Sequence, residues 1–184
     1  MAGRISLRRI LAEHAYVAAR DVVIEEGENR KPAVSLPGGV PPVYFNVSHS
    51  GDYIVIAISR AAEVGVDIEE MRPDCPVDDL ARRYYSPREY AWLRTLAGED
   101  RIEAFYRLWT VKEAVLKCAG LGLSVPTRMV EVHLDDGAPS VTCRDKNQKP
   151  LEQLQVAELH PVPGYAGALA SAAYTEIRVA PNPV

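Results

Sequence analysis

The sequence has few cysteines, no long hydrophobic run and no excess of basic charge, and each of these excludes a class of protein. Its three cysteines, Cys75, Cys118 and Cys143, are odd in number and far apart, which predicts neither a disulfide framework nor a cysteine metal site. No apolar run reaches the length of a membrane-spanning helix, and no signal-peptide core is present. A formal net charge of -4 does not indicate nucleic-acid binding. We therefore expect a cytoplasmic protein that binds neither membranes nor nucleic acid.

Composition and hydrophobic periodicity together predict a packed α+β protein. Hydrophobic residues make up 47% of the 184 residues and charged residues 25%, enough for one domain or two small fused halves. Periodicity predicts helices over residues 4–20, 77–85, from a cap at Ser86 to about 96, and from 98 to the glycines at 120 and 122. Strands are predicted at the start of 21–42, from 43 into a polar turn, and over 53–59, 64–69, 128–134, 140–143, 153–160 and 166–174.

The stretch VGVDIEE (residues 64–70) alternates apolar and polar residues, as a half-buried strand does, and we expect it to pair with the strand 53–59 as a hairpin. Asp67 and Glu69 then lie on one face, about 6.5 Å apart along the strand. Two carboxylates so close repel each other unless a cation lies between them. The alternatives are an exposed edge strand protected by charge and a Mg²⁺ site completed by a third acid from a helix.

The longest predicted helix carries three charged residues of interest. Glu113 and Lys117 are four residues apart, which is compatible with an ordinary surface ion pair. Lys112 is seven residues after Phe105 and so points almost along the apolar stripe of the helix. A lysine there must either extend its ammonium group to solvent or face an anion in a cleft.

The stretch NVSHSGD (residues 46–52) is predicted to be a polar turn between two strands. Ser48, Ser50 and the backbone N–H groups around Gly51 could hold a phosphate, with His49 adding charge or a hydrogen bond. A polar hairpin with a solvated histidine is the alternative. The basic stretch NRKP at 29–32 also has two interpretations: a basic turn before a proline, or a contact to a phosphate or a base.

Three stretches, in order along the chain, resemble the motifs of a known enzyme family. They are FNVSHSGDYIVIAIS, VGVDIEEMRP and FYRLWTVKEAVLKCAGLGLS, with RKP before the first and YYSPREY between the second and third. Together they are similar to the motifs of the surfactin-type (Sfp-like) 4′-phosphopantetheinyl transferases over about residues 29–175. The most specific element is W-x-x-K-E-x-x-x-K following D-x-E.

The resemblance implies a pseudo-dimeric fold of two similar α+β halves with the active site between them. It divides the chain into an N-terminal half over 1–62, a C-terminal half with the metal site over 63–176, and a tail over 177–184. Family members carry a few tens of residues ahead of the helix that begins here near Arg4, so the first half is expected to be shortened. We expect a monomer, with self-association if that front segment is missing.

The resemblance also implies an activity: Mg²⁺-dependent transfer of the 4′-phosphopantetheine arm of coenzyme A to a serine of an apo acyl or peptidyl carrier protein, releasing adenosine 3′,5′-bisphosphate. The resemblance implies that Asp67, Glu69 and Glu113 bind the metal and that Glu113 and Lys117 are catalytic. It implies coenzyme A contacts at Arg4, Lys31, Ser48, His49 and Lys117. The position of Lys112 on the predicted helix makes it a further candidate for a coenzyme A contact. Two alternatives stay open: a degenerate member that only binds coenzyme A or a carrier, and a Mg²⁺-dependent pyrophosphate hydrolase.

The stretch AGLGLSVP after the long helix carries the expected carrier contact. Leu121 and Leu123 are predicted to meet an amphipathic carrier helix. A simple helix C-cap at Gly120 or Gly122 would explain the same sequence.

Overall fold

The computed structural model describes residues 2–27, 31–122, 125–134, 139–143, 154–173 and 176–180, and the side chains from Ile5 onward within them. The helices are α1 (Ala2–Ala15), α2 (Val77–Tyr84), α3 (Pro87–Leu93) and α4 (Gly98–Cys118). The strands are β1 (Val23–Glu26), β2 (Pro32–Ser35), β3 (Tyr44–Ser50), β4 (Tyr53–Ser59), β5 (Val64–Glu70), β6 (Val130–His133), β7 (Ser140–Cys143), β8 (Gln155–Leu159) and β9 (Tyr165–Ser171).

All strand pairs in the described part of the chain are antiparallel, which confirms the α+β class. β1 pairs with β2, β3 with β4 and β6 with β7, while β5, β9 and β8 form a three-stranded sheet in that order. The first helix is shorter than predicted because Tyr16, directly after Ala15, has a φ of 56°, which a right-handed helix does not allow. Among the described residues, no helix has the length and apolar character needed to cross a membrane.

Strand β5 is the central strand of the fold and is buried on both faces, not half-buried as its alternation predicts. Helix α4 lies directly against one face at Gly65. A Cβ atom there would be 2.1 Å from the backbone oxygen of Ala114 and 2.3 Å from the backbone nitrogen of Cys118. Only glycine permits this close approach of helix to strand. The approach brings α4 over the same face of β5 that carries Asp67 and Glu69.

The partner of β5 differs from the prediction. β5 pairs with β9 and not with β4. Its other edge lies beside β3, where the side chains of Asn46, Ser48 and Ser50 accept hydrogen bonds from the backbone N–H groups of Val66, Ile68 and Glu70 at 2.9, 3.4 and 3.0 Å. These three contacts form a side-chain ladder between β3 and β5. A local hairpin pattern could not predict this partner, because β9 lies a hundred residues further along the chain.

The stretch predicted as a polar turn is mostly strand. β3 continues through Ser50, so the turn to β4 consists only of Gly51 and Asp52. Ser48 and Ser50 therefore point to one side of an extended strand instead of lining a loop. A second difference is β2, which pairs with β1 where the sequence predicts an irregular Gly/Pro-rich connection.

In the part of the chain that the structure describes, the buried apolar residues form a main core and two smaller clusters. The main core packs α2, α3 and α4 against the sheet strands, with Leu93, Val111 and Val115 fully buried. A second cluster holds α1 against β3 through Leu11 and Phe45. A third lies between β4 and β5. Together these cores position β3, β5 and α4 around one group of polar side chains.

Candidate active site between β3, β5 and α4

Asp67 is the most buried carboxylate of the candidate site. The residue is 3% exposed, and its Oδ1 accepts hydrogen bonds from Lys117 Nζ at 2.6 Å and from Ser48 Oγ at 2.8 Å. Its Oδ2 is buried and has no hydrogen-bond partner among the described residues. Burial raises the pKa of Asp67, while the charge of Lys117 and its hydrogen bond oppose that rise.

Glu69 lies two residues further along β5 and is half-buried. Its Oε2 accepts a hydrogen bond from Ser50 Oγ at 2.9 Å. Burial raises the pKa of Glu69 and the charge of Asp67 adds to the rise, whereas the hydrogen bond from Ser50 and the charge of Lys117 oppose it. A serine of β3 therefore holds the Glu69 carboxylate.

Glu113 completes the group from α4. Its pKa is raised by burial first, then by the charge of Asp67 and more weakly by that of Glu69, while Lys117 opposes the rise. We call Asp67, Glu69 and Glu113 the carboxylate cluster. Three carboxylates that repel one another in a partly buried region are stabilised when a cation binds among them.

Lys117 is the cation already present at the cluster. Besides Asp67, its Nζ donates to Ser48 Oγ at 3.1 Å and to the backbone oxygen of Val66 at 3.2 Å. Its short ion pair is thus with Asp67, and not with Glu113 as spacing along the helix suggests. The ammonium group lies at the junction of β3, β5 and α4.

The chemistry of the cluster fits Mg²⁺. Among the described residues, no three histidine, cysteine, aspartate or glutamate side chains are placed so that they could hold a metal ion as they stand, and Lys117 contacts Asp67 directly. The donors are nevertheless carboxylate oxygens, which Mg²⁺ prefers. The unpartnered Oδ2 of Asp67 is a buried acceptor, and a buried acceptor without a partner is costly. A divalent cation would satisfy it.

The sequence prediction for Lys112 is wrong. The side chain has no exposed surface, and its Nζ forms an ion pair with Glu89 at 2.8 Å. The same nitrogen donates to the backbone oxygens of Thr127 and Val130. Burial lowers the pKa of Lys112, and the charge of Glu89 opposes that shift. Lys112 meets an anion, as its position on the apolar stripe requires, but the anion is a protein carboxylate in the core and not coenzyme A.

Two other predicted coenzyme contacts, Lys31 and His49, lie apart from the carboxylate cluster. Lys31 Nζ contacts the Glu63 carboxylate at 2.5 Å and the backbone oxygens of Val64 and Cys118 at 3.2 and 3.3 Å. His49 is exposed and lies on the face of β3 opposite to the two serines. The side chain of Arg4 lies outside the described part of the structure. These three assignments stay predictions.

The two predicted carrier contacts have different outcomes. Leu121 is half-buried and packs against the main core, so it is less available than an exposed residue would be. Leu123 lies outside the described residues. The carrier surface therefore stays a prediction.

Sequence reasoning missed one side chain of the site. Asn46 was placed in a turn, yet it bonds to the backbone of β5. The repeat N-x-S-x-S, with period two, is the signal that could have identified one polar face of a strand.

Comparison with known proteins identifies the same regions. The family model described as "4′-phosphopantetheinyl transferase superfamily" matches residues 63–170, more than half of the chain. A second model, "4′-phosphopantetheinyl transferase, N-terminal", matches residues 1–61. The ladder therefore joins a strand of the first matched segment to a strand of the second.

Curated relatives are similar over the same segments. A 4′-phosphopantetheinyl transferase of Bacillus subtilis is 40% identical over 110 residues, which are 59% of this chain and 48% of the relative. A putative one of Synechocystis sp. is 39% identical over 121 residues, 66% of this chain and 49% of the relative. The transferase Sfp of Bacillus subtilis strain 168 is 30% identical over 146 residues, 79% of this chain and 62% of the relative. The chain spans about half the length of the first two.

A solved structure shares the fold. The holo-(acyl-carrier-protein) synthase of Bacillus anthracis, crystallised in complex with coenzyme A (3′,5′-ADP), aligns with a TM-score of 0.51 at 24% identity. The alignment covers 60% of this chain and 94% of that chain. At this identity the similarity establishes the fold alone.

Proposed function

Since the chain belongs to the 4′-phosphopantetheinyl transferase superfamily, we propose that it transfers the 4′-phosphopantetheine arm of coenzyme A to a serine of an apo carrier protein. The observation that supports this most strongly is the convergence of the carboxylate cluster and Lys117 where β3, β5 and α4 meet. Phosphoryl-type transfer depends mainly on positioning and on neutralising charge. A buried group of acids beside one lysine suits both requirements.

We assign the roles from the chemistry of each side chain. Glu113 lies on α4 beside Asp67 and Glu69 and takes the proton of the attacking serine as a general base. Lys117 carries positive charge on a half-buried side chain and stabilises the phosphate oxygens that gain charge as the pyrophosphate bond breaks. Ser48 holds both Lys117 and Asp67 in place.

Asp67, Glu69 and Glu113 would hold a Mg²⁺ ion. When bound, the ion would supply positive charge that polarises the pyrophosphate of coenzyme A. The unpartnered oxygen of Asp67 and the three interacting carboxylates support this assignment. We propose further that the chain is of the surfactin type, on the basis of its three ordered motifs and its similarity to Sfp. Apo acyl or peptidyl carrier proteins are then its protein substrates.

Mass spectrometry of carrier proteins tests the proposal. The full chain is incubated with coenzyme A, Mg²⁺ and a panel of apo acyl and peptidyl carriers, and each carrier is weighed for addition of phosphopantetheine. We expect modification of at least one carrier, and none when a chelator replaces Mg²⁺. Glu113→Gln should lower the rate by at least about 100-fold, the lower end of a general base's contribution. Glu103→Gln, an exposed glutamate on the same helix, is the matched control and should react normally.

Two results would contradict the proposal. Cleavage of coenzyme A without carrier modification would identify a hydrolase instead. Binding of coenzyme A with neither reaction, across the whole carrier panel, would identify a binding protein.

A further inference from the structure

Ser50, the last residue of β3, makes two contacts that have different functions. Its Oγ lies 3.0 Å from the backbone nitrogen of Glu70 and 2.9 Å from Oε2 of Glu69. The backbone N–H can only donate, so the serine oxygen is the acceptor in the first contact. The single hydroxyl proton is then free for the second contact, and an ionised carboxylate can only accept it. Ser50 thus bridges the backbone of β5 and the Glu69 side chain.

Two other side chains show that these two contacts are separable. Asn46 accepts the N–H of Val66 at 2.9 Å, and its side chain has no carboxylate contact among the described residues. Ser59, at the end of β4, accepts the N–H groups of Ala61 and Ala62 at 3.1 and 3.3 Å in the same manner. Accepting a backbone N–H is therefore a structural task shared by several side chains. Holding Glu69 is an additional task of Ser50.

Glu69 needs such a contact more than Asp67 does. Asp67 is 3% exposed and short, whereas Glu69 is half-buried and has one more rotatable bond. We infer that Ser50 is a positioning residue, which orients the Glu69 carboxylate within the carboxylate cluster and thereby sets the affinity for a divalent cation. This inference rests on the proposed function, because it takes Glu69 to be a metal ligand. Partners of a ligating carboxylate typically affect metal affinity by about 10–100-fold.

The test measures binding of Mn²⁺ alone to the full chain by electron paramagnetic resonance, without coenzyme A or carrier. Ser50→Ala should raise the Kd for Mn²⁺ by about tenfold. Ser50→Thr and Ser50→Val form a matched pair of nearly equal shape that differs in the hydroxyl group. We expect Ser50→Thr to bind Mn²⁺ like the wild type and Ser50→Val to bind like Ser50→Ala.

Two controls separate positioning from a structural role. Ser59→Ala loses a serine-to-backbone bond without any carboxylate contact, so its Tm should fall while its Kd for Mn²⁺ stays unchanged. In a Glu69→Gln background, Ser50→Ala should have little further effect on Mn²⁺ binding, because the group through which it acts is already altered.

The negative results distinguish a failure of the proposed cation site from a failure of the inference about Ser50. If the wild type binds no Mn²⁺, the cation site of the proposed function is wrong, and the inference fails with it. If the wild type binds Mn²⁺ and Ser50→Val binds it equally well, only the inference is overturned. An equal loss of affinity with and without Glu69 would also overturn it, since Ser50 would then act by another route.

Discussion

At the scale of single residues, the sequence predicted which side chains carry charge into the interior but not always what they meet there. The three acids of the carboxylate cluster and Lys117 were all identified from spacing and resemblance. Lys112 was identified as a lysine on an apolar stripe that needs an anion. Its partner, Glu89, is the third residue of the capping box that begins at Ser86. No local pattern connects these two residues, because their contact depends on how α3 packs against α4.

We predict that Lys112→Met destabilises the protein strongly and leaves its affinity for coenzyme A unchanged. The substitution leaves the buried carboxylate of Glu89 without its cation, and breaking a buried pair on one side typically costs about 3–5 kcal/mol. Denaturant unfolding measures the stability, and calorimetric titration with coenzyme A measures the affinity of the folded fraction.

The double variant Glu89→Gln/Lys112→Met is the control for this prediction. It removes both charges, so it should be more stable than the single variant. A Lys112→Met protein that unfolds like the wild type but binds coenzyme A more weakly would restore the coenzyme role that the sequence first suggested.

At the scale of elements, local signals predicted helices better than strand partners. The capping box of Ser86 and Glu89 is present, with contacts of 2.7 and 3.2 Å, and α4 begins and ends close to its predicted bounds. β5 was identified, but its partner was not. Alternation predicts that a segment is extended, and only tertiary packing decides that β9 pairs with one edge and side chains of β3 with the other.

Gly65 is the position at which two elements approach most closely, and we predict that Gly65→Ala destabilises the fold. The new methyl group would lie 2.1 and 2.3 Å from backbone atoms of α4, which cannot move aside as a flexible side chain can. Inserting volume into a packed core typically costs about 1–3 kcal/mol, and we expect the upper end or more. Because α4 carries Glu113 and Lys117, its displacement should also lower Mn²⁺ affinity.

Gly38→Ala is the matched control, since among the described residues, chain neighbours aside, no atom lies within 4 Å of the position of its Cβ. Its Tm should equal that of the wild type. If Gly65→Ala has the same Tm as Gly38→Ala, then α4 does not approach β5 as closely as the contacts at Gly65 indicate.

At the scale of the whole molecule, the site depends on the junction between the two matched segments. Residues 1–61 contribute β3 with its serines, and residues 63–170 contribute β5 and α4 with the carboxylate cluster. The ladder holds the two segments together by side chains and not by a continuous backbone sheet. Motif resemblance predicts which residues meet there. It does not predict the ladder, because the sequence of residues 46–52 indicates a turn and not a strand.

Lys31 is a second tie across this junction, and we predict that Lys31→Met weakens it. The residue directly precedes β2, and its ammonium group reaches Glu63, the start of β5 and the end of α4. Loss of these bonds leaves two carbonyl groups unsatisfied, which should cost about 1–3 kcal/mol and speed amide hydrogen exchange in β2. Glu63→Gln, which keeps both carbonyl contacts, should change exchange much less, because the Glu63 side chain is itself half-exposed to solvent. Hydrogen-exchange mass spectrometry of the full chain, with and without coenzyme A, measures both effects.

If Lys31→Met leaves exchange unchanged but weakens coenzyme A binding, Lys31 is a coenzyme contact, as the family resemblance implies, and not a tie between the segments.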